Sequence, residues 1–328
     1  MLIHDIDSSP IEADIPENIL HFDPTTSLKN HTYANGHHYP HQQPSSSSSS
    51  SSSSDHATIF RETELMHHLQ LLLLDGALYR APLKEEPKKV LDCGTGNGLW
   101  ALDFGHTHPG SEVVGVDWAP IQTGWHWPNV SFELENLEEE LSFPENEFDY
   151  IHSRLLGTSI HSWPTYLSRL FRHLKPGGHI ELAEQNYNFM GCDDDSLPEE
   201  SRAELLMYWL HVQTALTKLN TSVSEFTPQW FGERLKEAGF VDVEVWQYKV
   251  PWSGWAKDRR LKEVGSVVCE VGKRAGDVYG NLMMTRVLRM RKDEAEEVCK
   301  RRAEINASGV HHVYHYHWQI VARKPGAS

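Results

Sequence analysis

The stretch VLDCGTGNG, residues 90–98, decides the fold of this chain. Residues 88–91 predict a short strand, and the three glycines that follow allow positive φ angles or a ligand in contact with bare backbone. Leu99 opens an apolar segment that predicts a helix, with Asn97 available as its cap. A strand, a glycine turn and a helix in this order form the nucleotide-binding corner of a doubly wound α/β sheet.

The glycine spacing and the flanking acids indicate which ligand this corner binds. The glycines form G-x-G-x-G, one residue shorter than the dinucleotide fingerprint G-x-G-x-x-G. Asp92 places a carboxylate at the strand tip, which repels a pyrophosphate but suits the ammonium or sulfonium of S-adenosylmethionine. Asp117 closes a second predicted strand, residues 112–116, and lies 21 residues after Gly96, where a carboxylate accepts from both ribose hydroxyls.

The composition excludes several classes of function. The chain of 328 residues carries a net charge of −16, which argues against a nucleic-acid surface. Its four cysteines include no C-x-x-C pair, so neither a disulfide framework nor a zinc site is predicted, as is typical of a reducing compartment. The longest leucine run, Leu71–Leu74, is too short to span a bilayer. We expect a soluble protein of the cytoplasm or nucleus, with no membrane and no nucleic-acid partner.

The N-terminal part of the chain differs in composition from the rest. Residues 1–57 show little apolar periodicity and contain an unbroken serine run, Ser45–Ser54, so they are predicted to form a disordered tail. The histidines of this tail lack a fixed geometry and are expected to be solvated, without a bound metal ion. The folded domain is therefore expected to begin near residue 58.

Residues 58–328 have the pattern of one α/β domain. A leading helix is followed by strands that alternate with helices, which predicts a parallel sheet with right-handed crossovers. Between the last two strands, residues 251–309 indicate further helices. The preceding strand ends on the ligand side, so we expect a lid over the cofactor mouth, with Trp252 and Trp255 facing the substrate. The alternative is a helical layer that only covers the sheet edge.

Four histidines lie on the predicted last strand, residues 310–322. A strand turns only alternate side chains to one face, so the four cannot all meet at one metal ion. They are expected at the sheet edge or in a pocket wall, and no metal site is predicted. These residues are His311, His312, His315 and His317.

Several motifs resemble those of class I S-adenosylmethionine-dependent methyltransferases and, within them, the LaeA-like methyltransferases of fungi. The resemblance extends from about Glu62 to Pro325 and rests on VLDCGTGNGLWALD, FDYIHSR, LKPGGHIELAE, and AGFVDV followed by PWSGW. It implies a Rossmann-like, seven-stranded methyltransferase sheet, to which the helical lid and the disordered tail are added. The family includes tailoring enzymes of secondary metabolism and nuclear regulators of it.

The resemblance also implies which residues bind the cofactor, S-adenosylmethionine. The glycine turn and the acid before it line the methionine part, and the acid that closes the second strand takes the ribose. The pair after the third strand, Glu135 and Asn136, usually meets the adenine, commonly as two Asp residues. The full set expected to bind the cofactor is Asp92, Gly94, Thr95, Gly96, Gly98, Asp117, Trp118, Glu135 and Asn136.

Two functions follow from these observations. The first is an enzyme that methylates a small-molecule acceptor in secondary metabolism, and the second is a LaeA-like regulator that works through protein partners. A nicotinamide-dependent oxidoreductase is disfavoured, because it needs the longer glycine spacing. No N-P-P-[YF] signature follows the fourth strand, where residues 151–154 read IHSR, and this favours an oxygen or carbon acceptor.

The chemistry predicts few catalytic groups. Methyl transfer from a sulfonium depends mainly on holding the acceptor in line, and a base is needed only for a protonated oxygen or a carbon acid. His152, at the end of the fourth strand, is the neutral imidazole best placed to take that proton. Glu184, at the end of the fifth strand, and His161, in a loop, are the reserves. Alternatively, His152 only shapes the pocket.

Overall fold

The computed structural model describes residues 1–14, 52–122, 124–187, 191–221, 223–275 and 279–326. Eight strands form one sheet in the order β1-β7-β8-β6-β5-β2-β3-β4. Along the chain they are β1 Leu2–Asp5, β2 Lys89–Cys93, β3 Glu112–Asp117, β4 Val130–Leu134, β5 Phe148–Arg154, β6 Leu174–Gln185, β7 Val241–Pro251 and β8 Tyr314–Arg323.

The topology confirms the predicted doubly wound, Rossmann-like arrangement. Strand β2 lies between β3 and β5 and is parallel to both. The chain continues outward through β3 and β4 and then returns to the other side of β2 as β5, so the switch point lies between β2 and β5. Strand β8 is antiparallel to β6 and β7. Ligands of open α/β sheets bind beyond the carboxyl ends of the strands at such a point.

Seven α-helices accompany the sheet in the described residues. They are α1 Ser52–Leu73, α2 Leu99–Thr107, α3 Trp163–His173, α4 Glu199–Lys218, α5 Pro228–Glu237, α6 Arg259–Ala275 and α7 Lys292–Ala307, with a π-helix, Met283–Val287, before α7. One apolar cluster joins α2 to the sheet through Trp100 and Phe104. A second joins α3 and α5 to it through Leu167 and Phe231. None of the helices in the described ranges is long and apolar enough to cross a bilayer.

The sheet has eight strands and not the expected seven, because the first residues of the chain form β1. We call residues 1–14 the N-terminal strap. Its strand β1 is parallel to β7. Two ion pairs join the strap to α6, namely Asp7–Arg260, at 2.7 Å, and Asp14–Lys262. Ile11 of the strap packs against Trp255. The expectation of disorder is therefore wrong for this segment.

The physical reason for this error is the edge of the sheet. Without the strap, β7 would expose a row of backbone donors and acceptors, and a short segment suffices to pair with them. Two acids of the segment, Asp7 and Asp14, also bind basic side chains of α6. Residues 15–51, with most of the serine run, lie outside the described residues, so disorder there stays a prediction.

The predicted insertion, residues 251–309, contains α6, the π-helix and α7. The expectation of further helices between the last two strands is therefore confirmed. Leu65 and Leu69 of α1 pack against Tyr248 of β7 and Val264 of α6. Helix α1, the predicted leading helix, thus packs against one side of the insertion. Helices α4 and α7 form the other side.

Candidate functional site

The glycine turn, residues 94–98, leads from β2 into α2. Gly94, Gly96 and Gly98 have φ angles of 67°, 58° and 84°, in the left-handed region that favours glycine. Gly98 is the N-cap residue of α2 and has no side chain to cap it. Asn97, predicted as the cap, accepts a 3.3 Å hydrogen bond from the amide of Leu99. The turn therefore directs bare backbone toward the carboxyl edge of the sheet.

Two glycines of the turn are also required by close packing. A Cβ added at Gly98 would lie 2.5 Å from Cζ of Phe132 on β4, and a Cβ added at Gly94 would lie 2.5 Å from Cδ2 of Leu156. The first contact packs the turn against β4, which lies two strands from β2 in the sheet. The second places the loop after β5 directly on the turn.

Asp117 fastens the end of β3 to the glycine turn. Its Oδ2 accepts a 2.9 Å bond from the Gly96 amide, and its Oδ1 accepts a 3.1 Å bond from the Ala119 amide. Burial raises the pKa of the Asp117 carboxyl, although these backbone donors oppose the shift. Gln122 donates to the Gly96 carbonyl at 2.9 Å. The structure thus brings the predicted ribose acid and the predicted turn together.

Asp92 and His152 form a buried pair on adjacent strands. They are register partners of β2 and β5, and the His152 Nδ1 lies 2.7 Å from the Asp92 Oδ1. The other Asp92 oxygen accepts from the Thr95 hydroxyl at 2.6 Å. The imidazole stacks on Trp100, with 3.8 Å between ring centroids. A carboxylate beside Nδ1 fixes the hydrogen on that nitrogen and leaves Nε2 as the acceptor.

Burial lowers the pKa of His152 despite the neighbouring Asp92 carboxylate. The side chain is therefore neutral at physiological pH and able to accept a proton. Its side chain is only 3 % exposed, so any proton donor must approach through the protein interior. Its bonded partner is a carboxylate and not the backbone, and the role of His152 as a base stays a prediction.

A second buried network near this pair escaped the sequence analysis. Arg154, two residues beyond His152, lies 3.2 Å from the His67 Nδ1, and the His67 Nε2 lies 2.9 Å from the Asp103 carboxylate. Because a guanidinium only donates, the His67 Nδ1 accepts and its Nε2–H donates to Asp103. The sequence signal was Asp103, an acid within the apolar stretch that follows the glycine turn.

The remaining predicted cofactor residues lie on loops at the same edge. Trp118, directly after Asp117, is 83 % exposed. Glu135 accepts from the amide and hydroxyl of Ser142. Asn136 donates to Glu139 at 3.0 Å. The last two side chains shape the loop after β4, and none of the three contacts the glycine turn through a described hydrogen bond.

The two reserve catalytic residues have different surroundings. Glu184 is buried at the end of β6 and accepts from the amides of Leu156, at 2.7 Å, and Gly157, at 3.3 Å. Burial raises the pKa of its carboxyl to about 8. His161 is half exposed and lies 3.2 Å from Glu138, away from the buried pair. Glu184 therefore holds the loop after β5, and His161 lies on the surface.

A cavity of about 620 Å³ lies beside this loop. Its walls come from α1, α4, α6, α7, β8, the segment after β6 and the start of the insertion. Trp252 lines it, but Trp255 packs against the N-terminal strap and does not. The lid that faces the substrate stays a prediction. His315 and His317 line it too, so the expectation of histidines in a pocket wall is confirmed for these two.

The cavity and the glycine turn are separated by two residues. Leu156 packs on Gly94, and a Cβ added at the next residue, Gly157, would lie 3.0 Å from the Tyr187 ring, which lines the cavity. Leu155, which precedes them, has a φ of 55°, a conformation that side chains rarely adopt. Residues 155–157, with a positive φ at Leu155 and with two amides bound to Glu184, thus stand between the turn and the cavity.

Comparison with known proteins agrees with this architecture. Residues 65–245, more than half of the chain, match the methyltransferase domain family. The chain belongs to this family. Methyltransferase pytC of Aspergillus terreus is 32 % identical over 264 residues, covering 80 % of this chain and 79 % of that protein. The enzyme is a methyltransferase with S-adenosylmethionine as its cofactor.

Two further relatives are also fungal proteins. Methyltransferase cpsF of Aspergillus campestris is 29 % identical over 246 residues, covering 72 % of this chain and 84 % of that protein. The secondary metabolism regulator LAE1 of Cochliobolus heterostrophus is 31 % identical over 207 residues, covering 62 % of this chain and 66 % of that protein. The methyltransferase is therefore similar to proteins named as enzymes and to proteins named as regulators.

Proposed function

We propose that this methyltransferase methylates an oxygen or carbon atom of a small, largely apolar molecule of secondary metabolism. The observation that carries the proposal is the 620 Å³ cavity beside the loop after β5. Its volume falls within the range of roughly 300–1,000 Å³ that small-molecule sites occupy. An acceptor bound in this cavity would lie against the segment that packs on the cofactor turn through Leu156.

The residues of the glycine turn fit S-adenosylmethionine. Gly94 and Gly96 present backbone without side chains, Asp117 presents a carboxylate at the end of the next strand, and Asp92 supplies negative charge beneath the turn. The bound cofactor supplies an electrophilic methyl group. We assign the ribose to Asp117 and the methionine end to the turn, while Trp118, Glu135 and Asn136 border the adenine.

His152 is proposed as the proton acceptor. Asp92 orients the imidazole through Nδ1, and Trp100 holds the ring in plane, so the neutral Nε2 has one fixed direction. Glu184 is proposed to position the loop after β5 and not to act as the base, because both of its oxygens accept from backbone amides. His161 has no part in this arrangement.

The test of the reaction compares culture metabolites with and without the gene, followed by turnover on the acceptor so found. A single compound that differs by one methylene group supports the enzyme. With that acceptor, His152→Gln is expected to lower turnover at least tenfold while leaving cofactor affinity unchanged, since it removes the proton acceptor. Turnover within twofold of the wild type would exclude His152 as the base.

The second candidate is a regulator of secondary metabolism. The similarity to LAE1 favours it, although that similarity covers 62 % of this chain. In this case deletion of the gene is expected to abolish many unrelated metabolites at once. The same metabolite comparison therefore separates the two functions without knowledge of the acceptor.

A further inference from the structure

The cavity contains one charged side chain, Arg302 of α7. Among the described residues that line it, every other side chain is apolar, an amide, a hydroxyl or a histidine. Burial lowers the pKa of His315 to about 4 and that of His317 well below its usual range, so both imidazoles are neutral at physiological pH. A single cation thus faces an otherwise neutral interior, in a chain whose net charge is −16.

The guanidinium of Arg302 is held in place without a counter-charge. Arg302 is 7 % exposed, its Cζ lies 4.9 Å from the centre of the Tyr208 ring, and its Nη2 donates to the Gly272 carbonyl. The Nε atom is buried and has no hydrogen-bond partner among the described residues, and no ion pair joins Arg302 to a carboxylate there. The ring and the carbonyl therefore orient the cation but leave a donor unused.

An unused acceptor lies one helical turn further along α7. The Oδ1 atom of Asn306 is also buried without a hydrogen-bond partner in the described part of the chain, and Asn306 lines the same cavity. Residues four apart on a helix share one face, so the two side chains are neighbours on the cavity wall. Both residues line the cavity, and each has one buried polar atom without a partner among the described residues.

This arrangement is costly in the free protein. A buried cation without a partner, and a buried amide oxygen without a donor, each lose the hydrogen bonds that water would supply. The cost is offset when a ligand brings the missing groups. Water alone would satisfy the polar atoms, but it would leave the charge of Arg302 unmatched.

We propose that the methyl acceptor carries an anionic group, a carboxylate or an ionised enol, which binds Arg302, and a neighbouring hydroxyl or N–H, which donates to Asn306. This inference rests on the proposed function, since it assigns the cavity to the acceptor. It restricts the acceptor to acidic molecules whose remaining surface is apolar.

The test uses two fluorescent probes of nearly the same shape. Anilinonaphthalene sulfonate carries an anionic group, and N-phenylnaphthylamine is its neutral counterpart. The wild type is expected to bind the anion about tenfold or more tightly, as a charge-assisted hydrogen bond implies. Arg302→Gln is expected to bring this ratio close to one, and Arg302→Lys to restore part of it.

Arg301→Gln is the matched control, because Arg301 is the neighbouring arginine and is 55 % exposed. It is expected to leave both affinities unchanged. If Arg302→Gln does not fold, Asn306→Asp provides the second variant, since it places a carboxylate one turn from the guanidinium. It is expected to abolish the anion preference while retaining affinity for the neutral probe.

Equal binding of the two probes by the wild type would overturn the proposal, as would an anion preference that survives both Arg302→Gln and Asn306→Asp. Loss of both probes to the same extent in Arg302→Gln, with an unchanged ratio, would show that Arg302 only supports packing. Calorimetry with S-adenosylmethionine on the same proteins separates this outcome from failure of the proposed function. Absence of cofactor binding in the wild type would overturn that function alone.

Discussion

The glycine turn and the large cavity differ in what determines their shape. The turn is built from backbone within a few residues of sequence, fixed by positive φ angles and by one carboxylate from the next strand. The cavity is built from side chains of elements spread from α1 to β8. Under the proposed function, the cofactor is held by a local structure, whereas the methyl acceptor is held by a structure assembled over long range.

The strongest test of this comparison removes the carboxylate of Asp117. Asp117→Ala removes the two proposed contacts to the ribose hydroxyls, each worth about 1.5–3 kcal/mol for a charged acceptor. It also leaves the Gly96 and Ala119 amides without their partner. Calorimetric titration is expected to show cofactor affinity reduced by at least a hundredfold. The neutral probe of the cavity should bind as before.

The control for this experiment is Glu296→Ala, which removes an exposed carboxylate of α7. It is expected to change neither affinity. A parallel loss of cofactor and probe affinity in Asp117→Ala would mean that the two regions are not independent.

Removal of the N-terminal strap tests the cavity side. Deleting residues 2–14 leaves Arg260 and Lys262 of α6 without their acids and uncovers Trp255, for an expected loss of about 3–5 kcal/mol in the free energy of unfolding. Urea denaturation measures this loss. Because α6 forms one wall of the cavity, affinity for the neutral probe is expected to fall as well.

Glu12→Ala serves as the comparison for the deletion. The Glu12–Lys257 pair is exposed on both sides, at 76 % and 65 % of the side chains, and such pairs contribute little. The denaturation midpoint should be unchanged. If the deletion variant were as stable in urea as the wild type, residues 2–14 would be a dispensable tail.

The strap shows where sequence reasoning is limited. The turn and Asp117 were predictable, because their chemistry depends on residue type and short spacing. The strap was not, because its acids find their partners about 250 positions away, at Arg260 and Lys262. No local pattern in residues 1–14 distinguishes acids that pair with α6 from acids that are solvated.

The next test concerns packing within the turn. Gly98 and Gly177 both have a φ of 84°, but a Cβ at Gly98 meets Phe132 at 2.5 Å, whereas nothing lies within 4 Å at Gly177. The left-handed conformation costs a non-glycine residue roughly 1–2 kcal/mol. Gly177→Ala is expected to lose only this amount. Gly98→Ala should lose about 2–4 kcal/mol in urea denaturation, because overpacking adds to it.

Equal losses in the two glycine variants would show that Phe132 moves aside and that close packing does not fix the turn. The cofactor provides a second readout, since only the Gly98→Ala turn is expected to bind it more weakly.

Arg302 illustrates a signal that the sequence did carry. Ala295, Cys299, Arg302 and Asn306 lie at helical spacing along α7, and the first three are buried. An arginine on the buried stripe of an amphipathic helix is unusual and is a reason to expect a partner or a ligand. Its neighbour in the sequence, Arg301, has the same side chain but lies on the exposed face of α7. The two arginines therefore differ only in their position around the helix axis.

The loop between the two regions responds to pH through Glu184. Its pKa is about 8 in the folded chain, above the usual value of 4.5, because of burial. The folded state therefore binds more protons than the unfolded state between these values, and stability falls as the pH rises through this window. Glu184→Gln resembles the protonated acid and should lack this dependence.

Between about pH 5 and about pH 8.5, the free energy of unfolding of the wild type is expected to fall by about 2–3 kcal/mol more than that of Glu184→Gln. This is less than the full linkage value, because the surroundings of a buried carboxylate relax when it ionises. Urea denaturation of both proteins at the two pH values measures it. Burial raises the pKa of Glu181 to about 7. Glu181 is present in both proteins, so its contribution to the pH dependence cancels in the comparison. Parallel pH profiles would show that Glu184 ionises normally.

The smallest expected effect separates the two tryptophans of the insertion. Trp252 lines the cavity and donates to the His315 Nδ1 at 2.8 Å, whereas Trp255 donates to the Val313 carbonyl at 3.3 Å and packs against the strap. Replacement of either by Phe removes one hydrogen bond, so each variant is expected to lose about 1 kcal/mol of stability.

Only one of these variants should change the ligand. Trp252→Phe widens the cavity and frees the His315 Nδ1, so affinity for N-phenylnaphthylamine is expected to fall by about threefold to tenfold, while Trp255→Phe leaves it within error of the wild type. Fluorescence titration measures both. If Trp255→Phe weakened the probe as much as Trp252→Phe does, the strap and the cavity would be one structural unit. The molecule would then have two independent regions: the glycine turn, and the insertion together with the elements that pack against it.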